Sequence, residues 1–172
     1  MDLKKLNYFK AGFIAVLAVY GFSCAWDTSE QGMLDRVDLV IHEAGHLFFG
    51  WFGEFIQVAG GTIGQLLVPA AIAVYFFIRR EFYSSAVSLF WTGQNFFWIS
   101  VYVKDAQTMD LPLVSIGGED AIHDWNYILS RLGLLRWDHA IGNIFYAIGV
   151  LIIAASVIWG FYHSIERDEE AE

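Results

Sequence analysis

The stretch VIHEAGHLFFGWFG, residues 40–53, sets two histidines and a glutamate inside a run that otherwise reads as apolar helix. An ionisable side chain inside a membrane span costs about 2.5–3.5 kcal/mol on insertion scales, and three within five residues compound that cost. A bound metal or a hydrated cavity offsets it, so the meaning of the stretch depends on what surrounds it.

Those surroundings are strongly apolar. Of the 172 residues 56% are hydrophobic and 17% aromatic, well above the composition of an average water-soluble domain. A helix needs about 20 mostly apolar residues to cross a bilayer, and residues 6–26, 37–58, 61–79, 82–103 and 138–162 offer them. Inside hydrocarbon every backbone N–H and C=O must be satisfied within the segment, which selects helices over open strands. The expected fold is all-α: a polytopic transmembrane helical bundle of about five membrane segments, forming one integral membrane domain over residues 1–172. The expected location is the cell (inner) membrane, with the lipid bilayer as its first partner.

The net charge of −9 lies mainly in the acidic stretches 26–38 and 166–172, which read as solvated faces and argue against nucleic acid as a partner. The single cysteine, Cys24, excludes an intramolecular disulfide and a cysteine-rich metal site. Residues 6–26 are read as an uncleaved first span in preference to a signal peptide ending in the small residues Ser23 and Ala25.

Two connections need separate treatment. Lys4, Lys5 and Lys10 place the N-terminus in the cytoplasm, yet Arg79 and Arg80 fall on the opposite side if all five segments cross. A re-entrant course for the glycine-rich run GEFIQVAGGTIGQ, residues 53–65, would reconcile the two, and such backbone is tolerated at membrane depth where protein or a water-filled cavity covers it. The connection 104–137 is the least apolar long stretch. Pro112 and Gly117-Gly118 mark turns, and its second half is expected to form one interfacial helix with Trp125, Tyr127 and Trp137 at headgroup level.

On a helix, residues four apart share a face, so His42 and His46 can present both imidazoles to one ion. Glu43 is rotated by about 100° from His42, which in an HExxH arrangement lets its carboxylate reach a metal-activated water without becoming a ligand. Glu43 is then the candidate general base, and the cofactor expected for this donor set is zinc. Asp38, four residues before His42, is placed to hold the imidazole's second nitrogen or to act as an exposed helix-start acid.

A span carrying HExxH, then glycine-rich sequence, then a span with a proline, resembles the site-2-protease-type intramembrane zinc metalloproteases and their smaller membrane relatives, over roughly residues 37–105. The resemblance implies a zinc-dependent endopeptidase hydrolysing peptide bonds of membrane-associated protein or peptide substrates, with His42 and His46 as metal ligands and Glu43 as the catalytic glutamate. That family's third ligand is an aspartate in an Asp-Gly motif, and no Asp-Gly dipeptide occurs here. Two candidates replace it: Asp105 at the end of the fourth segment, and His123, with Asp124 beside it as an orienting carboxylate. Gln94 and Asn95, amides in mid-span, are candidates for substrate binding or for interhelical hydrogen bonds. His139 and His163 have no partner at ligand spacing. Two other classes of function fit the same residues: a non-catalytic metal-binding membrane protein serving ion storage, transport or structure, and a metal-free membrane scaffold.

Overall fold

A computed structural model describes residues 5–28, 34–112 and 122–166. The described residues are nearly all helical: α1 (Tyr8–Trp26), α2 (Asp35–Phe49), α3 (Glu54–Ile78), α4 (Phe82–Lys104), α5 (Asp124–Arg131) and α6 (Asp138–Tyr162). Two residues at each end add a short antiparallel ladder, β1 (Lys5–Leu6) against β2 (Ile165–Glu166). The all-α expectation holds, and the number of candidate membrane helices is corrected from five to three. Among the described residues, only α1, α3 and the stretch Leu135–Tyr162 containing α6 are both long and apolar enough to cross.

The two missing spans fail for different physical reasons. The segment expected at 37–58 breaks at a tight turn, Gly50–Phe52, followed by Gly53 at φ +93°, a backbone conformation that glycine adopts freely and a side-chain-bearing residue does not. What remains of it, α2, is 15 residues or about 22 Å long, short of a bilayer core. The fourth, α4, has the length at 23 residues but carries Ser85, Ser88, Thr92, Gln94, Asn95 and Ser100, all buried against neighbouring helices. A helix enclosed by protein can be this polar because lipid does not see its polar face.

The glycine-rich run is likewise corrected. It is not a re-entrant loop but the first half of α3, folded back antiparallel on α2. Its glycines let the two backbones touch: a Cβ on Gly45 would collide with the Gly60 carbonyl, and one on Gly64 would stand 3.1 Å from the Gly45 Cα.

The element that starts at partial depth is α2. Its first turn lies beside the middle of α4, where Asp35 accepts a hydrogen bond from Gln94 and Asp38 accepts from Trp91 and Asn95. One turn further on, His42 lies beside Trp98 and Tyr102. Thus α2 runs parallel to α4, and His42 approaches the same end of the bundle as Asp105, the end from which they seemed separated when five crossings were expected. The Arg79–Arg80 turn falls at the same end as Lys10, whose carbonyl accepts from the Tyr83 hydroxyl.

The expected interfacial helix is α5, and it is packed onto the bundle. Trp125, Ile128 and Leu129 join Val58 of α3 and Ile99, Tyr102 and Val103 of α4 in one apolar cluster. Burying side chains of this kind stabilises by about 1.5–3 kcal/mol each, so α5 is held as part of the core. Of the three aromatic residues expected at headgroup level, Trp125 is buried and Trp137 is half exposed.

Candidate metal centre

Two elements deliver three ligand atoms to one point. His42 and His46 project from the same face of α2, and Asp124, the first residue of α5, meets them from across the bundle. Asp124 Oδ2 lies 2.8 Å from His42 Nε2 and 3.2 Å from His46 Nε2. The three ligand atoms all fall within 4.8 Å of one another, a separation that a single ion can bridge.

What the other ring nitrogens do fixes the character of these atoms. His46 Nδ1 donates to the backbone carbonyl of Gln57 at 2.9 Å, and His42 Nδ1 donates to Gln65 Oε1 at 3.1 Å. With the proton held at Nδ1, the neutral imidazole turns a bare lone pair outward at Nε2. With a proton on Nε2 an imidazole donates to the Asp124 carboxylate; without one, two lone pairs and a carboxylate oxygen face one another, a set that a cation at the centre can satisfy. Burial raises the pKa of the Asp124 carboxyl, but its hydrogen bonds with His42 and His46 lower it further, and the net displacement is downward. Asp124 is therefore ionised at neutral pH, the form that ligates metal.

Space for the ion comes from α3. A Cβ on Gly61 would stand 2.5 Å from His42 Nε2 and 2.6 Å from His46 Nε2, so glycine alone leaves the volume in front of both nitrogens open. Gly61 and Gln65, four residues apart on one face of α3, supply the space and the orienting acceptor together. His42 and Asp124 are almost wholly buried, whereas the His46 side chain keeps 20% of its exposure and marks the side on which the centre is reachable. The group His42–His46–Asp124 can thus hold a metal ion.

The other candidate residues go elsewhere. Asp105 and His123 are brought together, Oδ2 to Nε2 at 3.1 Å, and neither belongs to the metal-competent group. His123 uses both nitrogens: Nδ1 accepts from the Asn126 N–H, capping α5, and Nε2 donates to Asp105. Asp105 also accepts from Thr108 and from the backbone N–H groups of Asp110 and Leu111. Burial raises its pKa, those four donors lower it by more, and the net displacement is downward. Gln94 and Asn95 are fully enclosed, with their amide nitrogens given to Asp35 and Asp38. Asp38 accordingly does not orient His42; Gln65 does. Glu43 is half-buried and lies close enough for its charge to act on His46 and Tyr102.

Asp124, Gln65 and Gly61 are the positions around this metal-competent group that motif reasoning did not place there. The signals were the aspartate adjoining His123 and the Gly-x-x-x-Gln spacing inside the glycine-rich run. No protein-family model matches the chain, and no curated protein and no solved structure shows significant similarity to it.

Proposed function

We propose that the protein is an integral membrane zinc metalloprotease that hydrolyses peptide bonds of membrane-associated substrates, as its HExxH resemblance implies. The observation that carries this reading is the convergence of two imidazole nitrogens and one carboxylate oxygen within 4.8 Å of one another, with Glu43 next to His42 on the same helix. Two nitrogens and one carboxylate oxygen suit zinc, and three protein ligands are the number that catalytic zinc sites use. When bound, zinc would polarise the substrate carbonyl and acidify water at the centre.

His42, His46 and Asp124 hold the ion, and Gln65 and the Gln57 carbonyl fix the imidazole tautomers. Glu43 takes a proton from water as the oxygen adds to the carbonyl carbon, then passes that proton to the amine nitrogen as the C–N bond breaks. The half-exposed side at His46 and Glu43 is where substrate enters. Three apolar helices support placement in a bilayer.

The test is made on detergent-purified protein. Wild type is expected to retain about one zinc per chain and to cleave a mixed-sequence quenched fluorescent peptide library. Chelation should abolish cleavage and zinc should restore it, while Glu43→Gln should keep the metal and lose the cleavage. Failure of wild type to take up zinc, or full activity in Glu43→Gln, would overturn the reading.

A further inference from the structure

We infer that His123 and Asp105 are positioning residues for the metal centre, holding the Asp124 carboxylate against the two histidines while ligating nothing themselves. The inference rests on reading His42, His46 and Asp124 as the metal centre.

Among the described residues, Asp124 is the one member of the metal-competent group contributed from outside α2, so its placement decides whether three atoms or two converge. Its backbone is fixed from both directions. Its own N–H donates to the Tyr102 hydroxyl at 3.1 Å, and the residue before it, His123, is clamped between Asp105 and the first turn of α5. Asp105 follows the last helical residue of α4 and is joined to a buried stretch, Val103 and Ala106, neither of which has any exposure. The Ala106 carbonyl also accepts from the Asn126 side chain at 2.8 Å, a second tie between the end of α4 and α5.

Asp105 and His123 are 18 residues apart in sequence, and closing a connection of that length costs entropy. The Asp105–His123 bond closes it at the residue preceding the ligand. The ring of Tyr102, 4.5 Å from that of His123 and 6.0 Å from that of His42, fills the space between the pair and the centre. A reference frame built on α4 is thereby carried to the Asp124 carboxylate.

The chemistry of the two imidazole nitrogens supplies the test, because asparagine and glutamine each reproduce one of them. In His123→Asn the side-chain oxygen can replace Nδ1 as helix cap but cannot reach Asp105. In His123→Gln the amide N–H₂ can replace Nε2 as donor to Asp105, and the cap is weakened. Full-length protein in detergent is loaded with zinc for affinity, by chelator competition, and with cobalt for its visible absorption spectrum. Helical circular dichroism confirms that each variant is folded.

His123→Asn and Asp105→Ala are expected to lose about 10–100-fold in zinc affinity, the usual effect of removing an outer-shell partner, with an altered cobalt spectrum. His123→Gln should remain near wild type in both. Wild-type affinity and spectrum in His123→Asn, or an equal loss in His123→Gln, would overturn the positioning role while leaving the metal centre intact. Failure of wild type to bind either metal would overturn the metal reading, and the inference with it.

Discussion

Among the described residues, two histidine–carboxylate arrangements lie close to each other in this bundle, and only one brings three possible ligands together. At His42–His46–Asp124 every Nδ1 is spent on an acceptor, and both Nε2 atoms face one carboxylate oxygen. At Asp105–His123 the ring is consumed at both nitrogens and the carboxylate receives four donors. Both are buried and both pair imidazole with aspartate. Residue type and burial therefore do not distinguish a ligand set from a strut; the use of the second nitrogen does.

The sharpest way to break this contrast is to remove ligands. Asp124→Ala and His46→Ala should abolish zinc retention in elemental analysis, whereas truncation at Asp105 should weaken it without abolishing it; equal retention in all three would erase the distinction. Next in size is Glu43→Gln, for which turnover of the peptide library should fall by about 10²–10⁴ with zinc content unchanged, the range for losing a general base.

Gly61→Ala should follow. Its methyl group would enter the space before both Nε2 atoms, and overpacking of this kind costs about 1–3 kcal/mol. The thermal stabilisation gained on adding zinc should shrink, while the metal-free protein keeps its helical signal. Retention of the full zinc-dependent shift would show that the centre does not use this space.

Acid acts on the strut through Asp105. Its pKa in the folded protein is below the ordinary value of 3.8. The stability it contributes is therefore present above the unfolded value and is lost as pH falls through the folded one. Asp105→Asn should flatten the decline of stability below about pH 4, measured by denaturant titration at several pH values. The smallest effect is expected at Glu54→Gln, which removes an exposed ion pair with Arg131 at 3.5 Å; stability should change by less than about 1 kcal/mol.

Much of the centre was legible in the sequence because it is local. His42, Glu43 and His46 follow from one helical periodicity, and the all-α architecture follows from apolar runs that leave the backbone no alternative in lipid. The third ligand was not legible, since it depends on the direction in which α2 runs relative to α4. That direction turns on Gly53, which ends the second helical stretch early and makes α3 start at Glu54. Hydropathy reads through such a break, because Trp51 and Phe52 before it and Phe55 and Ile56 after it are as apolar as a span. The polar face of α4 left two roles open to Gln94 and Asn95, substrate binding and interhelical hydrogen bonding, and their amides are hydrogen-bonded to the acids of α2.

His42 and Asp124 are 82 residues apart, and that distance is also an interval of time. A ribosome adding about 5–20 residues per second takes roughly 4–16 s to pass from one to the other. During that interval the newborn chain already carries both histidines, and then Gly61 and Gln65, but no carboxylate to complete the set. The centre is finished only when α4 has been made and α5 has docked on its end. Until then the chain presents two imidazoles and no carboxylate to meet them, so the order of synthesis by itself delays assembly of the metal-competent group until the surrounding bundle exists to contain it.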